Sequence, residues 1–314
     1  MRNAVLASLL LLAACGDDHS SNHADAGQQV DALVPPDTGT NYRMQSIELA
    51  GGANGLYWDD ATQTLFLTDD NANTFLKYTD AGRVQTLAPL PTEAAGSNPG
   101  GIARLADGTF ITPNFAMGMS DGNTLFTIDA GAKTSKALTG LDISHHRIGI
   151  GTTSTGDVYD VYFAGMGGGM QVGSIAKVVI NPDGSAVETP LVFGAAPGFK
   201  KLVGILVTDT AVYVSDQSQA KIFKVALADN TLTTVGAVTS ADLMTLMPDG
   251  DIITGGTGVR RLTPAGVETT LFSTETFDAV HGSAYDPTGK RLFFINHSAT
   301  AGVKDHLEVR PLDQ

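Results

Sequence analysis

The chain has 314 residues, 42% of them hydrophobic and only 17% charged, which supplies enough apolar mass for a sizeable core and argues against bulk disorder. Nineteen Lys and Arg stand against 33 Asp and Glu, a formal charge of -14 that repels phosphate backbones and anionic headgroups and excludes nucleic acid as a partner class. Cys15 is the only cysteine, so no intramolecular disulfide is possible and the fold must be held by its core.

In chain order, the first feature is Arg2, followed by an apolar run from Val5 to Leu12 that is too short to span a bilayer, and then Leu12-Ala13-Ala14-Cys15-Gly16. These residues resemble the signal peptide and lipobox of bacterial lipoproteins. The resemblance implies removal of residues 1–14, lipid on Cys15, export, and attachment to a membrane on its periplasmic or cell-surface side. Residues 15–43 continue as an acidic tether expected to be disordered. From Gly16 to Thr40 they are rich in Asp, Ser, Gly and Pro, with only Val30, Leu33 and Val34 to offer apolar grip. His19 and His23 in that stretch read as polar filler.

From residue 44 to 314 the pattern is β throughout. Met44 to Ala50 is a lone strand with Ile47 and Leu49 on one face. Then comes GLYWDDATQTLFLTDD (Gly55 to Asp70), a hairpin of two apolar strands around a polar turn. Its layout returns at Gly101 to Asn114, more loosely at Gly149 to Phe163, and again at Gly204 to Gln217, Asp242 to Gly256 and Gly282 to His297. Each hairpin leads into two further strand-like runs with DG, DAG, PDG, ADN or PAG turns, except the last, which stops after Leu307 to Leu312. Four strands recurring every ~40–50 residues are the signature of propeller blades, because one small twisted sheet cannot bury both faces alone. The expected fold is all-β: a six-bladed propeller of four-stranded antiparallel blades, whose last blade is completed by Met44 to Ala50.

The units GLYWDDATQTLFLTDD and GSAYDPTGKRLFFIN resemble those of six-bladed propellers of the gluconolactonase, regucalcin and paraoxonase-like group, and also NHL-repeat propellers. The resemblance covers roughly residues 44 to 314. It implies that the residue just before the innermost strand of several blades points into the central opening, where Glu, Asn and Asp hold a divalent cation, usually calcium. Aligned on their turns, the units place Asn54, Gly100, Val203, Asp242 and His281 in that column, with the third blade ambiguous between His146 and Ile148. Asp242 matches the implied acid, whereas Asn54 replaces a Glu and Val203 an Asn. Calcium takes six to eight oxygens, which this column cannot supply.

The column supports several readings. Asp242, His281 and Asn54, or the two with His146, form a ligand set for one divalent cation, zinc-like rather than calcium. Alternatively His281 or His146 acts as a general base on a water attacking a lactone or ester, with Asp242 orienting it. Or Asn54, His146, Asp242 and His281 simply line an opening that binds a small molecule or a protein without turnover. Asp69, Asp70, Asn114, Asp216 and Asn296, which close the second strands, read as turn caps. The Gly-rich stretch Ala164 to Gly173 reads as a loop in which Met166 and Met170 could touch an apolar ligand. His145 reads as structural, and Asn296-His297-Ser298 as an incidental sequon. The expectation is an exported monomeric lipoprotein that binds a ligand at its central face, with a metal-dependent lactonase or esterase as the alternative.

Overall fold

The computed structural model describes residues 44–312 except 70–71, 80–82, 91–96, 117–122, 165–170, 196, 273–278, 299 and 301–302. Cys15, the tether, Asp70, Met166 and Met170 therefore lie outside the described residues. No helix occurs among the described residues, and none long and apolar enough to cross a membrane is found there.

Six antiparallel sheets follow one another around an axis. Blade 1 runs Ala53–Asp59, Thr64–Asp69, Thr74–Thr79 and Arg83–Pro89, from the innermost strand outwards. Blades 3, 4 and 5 repeat this order, starting at His146, Leu202 and Met244. Blade 2 departs from it: its innermost strand is broken into Ser97–Pro99 and Ala103–Arg104, which both pair with Phe110–Ala116. Pro99 lacks an N–H and two glycines follow it, which accounts for the gap.

Blade 6 is the closing blade. Ala279–Asp286, Arg291–His297 and His306–Pro311 are joined by Gln45–Glu48, which pairs antiparallel with the last strand in the register Gln45↔Val309 to Glu48↔His306. Two ends of the chain thus share one sheet, and the ring closes through backbone hydrogen bonds.

Alternation along each strand explains why the sheets stack. In Thr64–Asp69, Leu65 and Leu67 face blade 6 together with Phe293, Ile295 and Leu307, while Phe66 on the opposite face joins Phe75, Phe110 and Phe126. The same division gives an apolar cluster between every pair of neighbouring blades. Leu49, 2% exposed, belongs to the cluster at the closing joint. A seventh cluster lies on no inter-blade face. Phe115, Ile148, Phe163, Val203 and Leu243, from blades 2, 3, 4 and 5, meet at the axis.

The innermost strands come unusually close to one another. A Cβ on Gly55 would lie 2.2 Å from the carbonyl oxygen of Gly100, on Gly100 2.1 Å from that of Ile148, and on Gly149 2.6 Å from that of Val203. On Gly204 it would lie 2.1 Å from that of Asp242, and on Gly282 2.2 Å from that of Asn54. Only glycine permits that approach. Hydroxyls brace it: Thr68 and Ser215 each accept the N–H of their own blade's glycine and donate to the carbonyl of the next blade, Gly100 and Asp242 respectively.

Candidate axial site

The ring of close contacts identifies which residues face one another around the axis. Asn54, Gly100, Ile148, Val203 and Asp242 each present a carbonyl over the preceding blade, and His281 occupies the matching place before Gly282. In the third blade the column position belongs to Ile148. A register shift falls between Arg147 and Gly149, and His146 pairs with Phe163, its ring 5.5 Å from the Phe163 ring. His146 is 4% exposed and packs beside the apolar cluster.

The column is therefore divided. Gly100, Ile148 and Val203 make an apolar arc on blades 2 to 4; Asp242, His281 and Asn54 make a polar arc on blades 5, 6 and 1. Asn54 is 9% and His281 8% exposed. Asp242 keeps more accessible surface but is walled by protein, and that burial pushes its carboxyl above the ordinary range. The charge of His281, the Leu243 N–H donating to it at 2.9 Å, and the more distant Lys201 offset this only in part.

Behind His281 stands a second imidazole. The rings of His281 and His297 stack at 4.6 Å with an interplanar angle of 17°. His297 Nδ1 lies 3.0 Å from Oδ1 of Asp305, which is itself 4% exposed. The site thus has two stacked imidazoles flanked by two acids: Asp242, His281, His297, Asp305. His297 and Asp305 escaped the sequence reading because His297 ends the second strand of blade 6 and Asp305 precedes the third, away from the column. The one available signal was a histidine directly after Asn296, at the end of the second strand.

The remaining candidates take structural roles. Asp69 caps the turn through the Ala72 N–H, and Asp216 accepts the N–H groups of Lys200 and Gln219. His145 stacks on Tyr162 at 3.8 Å and lies 2.9 Å from Glu188, beside Arg147, which is fully buried. Two clefts, of about 440 Å³ beside Tyr57, Arg104 and Thr152 and about 480 Å³ beside Phe193 and Asp229, lie apart from Asn54, Asp242 and His281, and neither brings an acid and an imidazole together.

The residues do not suit the divalent cation that the family resemblance implies. Three of six column positions offer no side-chain oxygen or nitrogen, and among the described residues no group of three or more His, Cys, Asp or Glu is arranged to hold a metal. The polar arc has one carboxylate and one imidazole at its centre, and the His297 Nδ1 is engaged by Asp305.

No family model matches the sequence, and no curated protein aligns with it. Among solved structures, a gluconolactonase from Xanthomonas campestris is similar over 86% of this chain and 90% of its own, with 16% identity and a TM-score of 0.62. Regucalcin from Agrobacterium tumefaciens, a calcium-binding protein, covers 85% and 93% with 16% identity and a TM-score of 0.60. Virginiamycin B lyase from Staphylococcus aureus covers 86% and 99% with 16% identity and a TM-score of 0.54. A histidine-to-alanine variant of that lyase is catalytically inactive. At such identities the likeness establishes the gluconolactonase- and regucalcin-type propeller fold and leaves the activity to the site.

Proposed function

We propose that this chain is a membrane-anchored exported propeller that performs acid–base hydrolysis of a small lactone or ester at its axial site, without a resident metal. The observation that carries the reading is that Asp242 and His281 hold equivalent column positions on neighbouring blades, with the His281 charge acting on an Asp242 walled by protein and with His281 stacked on His297. His281 takes a proton from a water whose oxygen attacks the ester carbonyl. The same imidazolium then returns that proton to the departing alkoxide, so the ring C–O bond breaks with no net change in charge. Asp242 offsets the charge that develops on His281, and Asn54 can donate its side-chain amide to the carbonyl oxygen. Similarity in fold to a gluconolactonase and to a lyase inactivated by loss of a histidine supports a small-molecule reaction. Anchoring is proposed from Cys15 and the apolar run before it.

The test is hydrolysis of a panel of γ- and δ-lactones and phenyl esters by the full chain, followed by proton release in the presence of EDTA. Turnover that survives EDTA and falls at least ~100-fold in His281→Gln and in Asp242→Asn is expected. Absence of turnover across the panel, with lactone binding still measurable by calorimetry, would replace the hydrolase with a binding protein.

A further inference from the structure

We propose that Asp305 is a positioning residue through which closure of the ring assembles the axial site; this rests on the reading of His281 as the acid–base group. One buried residue touches three separate parts of the molecule. Its Oδ2 accepts the N–H of Ala53 at 3.1 Å, directly before Asn54 of the polar arc. Its Oδ1 accepts the N–H of Ser298 at 3.2 Å and lies 3.0 Å from Nδ1 of His297. The Asp305 backbone carbonyl accepts the N–H of Leu49 at 2.9 Å, just past the closing strand.

The chemistry follows from those bonds. A carboxylate is acceptor-only, so His297 must present Nδ1–H to it, which fixes both the tautomer and the plane of that ring. A ring held in that plane supplies the flat face on which His281 stacks. Asp305 engages His297, and the charge of His281 acts on Asp242. If Leu49 and Ala53 are not docked, Asp305 loses two of its donors and the pair loses its support. The chain therefore completes its last blade and its acid–base site in one event.

The experiment is nitrogen-15 NMR of the imidazoles in histidine-labelled full chain, together with lactone kinetics. In the parent, His297 is expected as the Nδ1–H tautomer. Asp305→Ala should abolish that tautomer preference and shift the His281 resonances, with kcat down about tenfold or more and KM little changed. Asp305→Asn, which keeps one acceptor oxygen, should restore much of both. Leu49→Ala should perturb the His297 signals, whereas Leu138→Ala, a control in the core between blades 2 and 3, should lower the melting temperature without doing so. Unchanged His297 and His281 signals in Asp305→Ala would overturn the proposal, as would equal perturbation by both leucine variants. A parent with no turnover would defeat the hydrolase reading alone, since the NMR arms test positioning without activity.

Discussion

Replacing Arg147 by Met should destabilise the protein by about 3–5 kcal/mol at pH 8, because it strands two carboxylates in the interior without their cation. Arg147 is 0% exposed, and its Nε lies 3.1 Å from Asp160, while Nη2 donates to Glu188 at 3.0 and 2.8 Å. Nη1 further closes the carbonyls of Asn123, Asp142 and His145, three bonds that Met cannot make. Burial, and then the neighbouring Glu188, push the Asp160 carboxyl well up. In Glu188, burial raises the carboxyl but is outweighed by the hydrogen bond with His145 and the charge of Arg147, so its value falls below 4.5. The signs differ accordingly. In the parent, Glu188 contributes stability that is present above its unfolded value and lost as pH falls through its lowered one; Asp160 contributes stability that is present at low pH and lost as pH rises through its raised one. Without Arg147 both carboxyls favour the protonated form, so the variant recovers stability as pH falls. Urea unfolding is the suitable assay, since guanidinium would screen the charges. The expected result is a parent–variant gap that is widest at pH 8 and shrinks toward pH 4. A gap under about 1 kcal/mol, or one independent of pH, would refute the reasoning.

Other consequences are as direct. Leu49→Ala should cost about 2–5 kcal/mol in urea unfolding, as a leucine lost from the closing joint, and a smaller loss would mean that the joint relaxes around it. Gly204→Ala should cost about 1–3 kcal/mol, because the new Cβ meets the Asp242 carbonyl at 2.1 Å and a backbone atom cannot swing aside. Asp242→Asn should gain stability relative to the parent as pH rises, because the raised Asp242 stabilises the parent only below its folded value and must ionise in a walled site above it; parallel pH profiles would argue against that burial. Cys15→Ala should release the chain from the membrane fraction while leaving its thermal unfolding unchanged, and sedimentation equal to that of the parent would exclude lipidation there.

The blades were legible because their signal is local. Alternating apolar residues and Gly- or Asp-bearing turns recur in each unit, and the missing last strand pointed to Met44 to Ala50, where Gln45–Glu48 now pairs with His306–Pro311. Alignment on the turns also found Asn54, Asp242 and His281, since identical blades carry equivalent residues to the axis. Counting failed where the backbone departs from repetition. The bulge between Arg147 and Gly149 made His146 and Ile148 indistinguishable in sequence, and nothing in Pro99 to Ala103 announced a broken strand beyond its glycines. The row from His281 to Asp305 was hidden for another reason: stacking and ion pairing between strands leave no spacing in the sequence. Arg147 was overlooked beside the more conspicuous His145 and His146, although it is the arginine that the interior surrounds.

The division of the axis links these features. Six equivalent positions could all have been polar, yet Ile148 and Val203 join Phe115, Phe163 and Leu243 in an apolar cluster, while Asp242 stands walled by protein among the polar positions. Burial raises the Asp242 carboxyl and the His281 charge offsets this in part, so the two groups are electrostatically linked. The polar arc, moreover, spans the joint between blades 6 and 1, the only joint where distant ends of the sequence meet. On the proposed role of Asp305, an error in closure reaches Asn54, His281 and the Asp305 carboxylate before the five joints that form between neighbours in the chain. A propeller that needed only a rigid scaffold could place its site on any blade. On the proposed reading, placing it across the seam makes the completed ring a condition for the chemistry, so that a chain which has not yet docked Leu49 and Ala53 would carry the proposed acid–base groups without holding them in register.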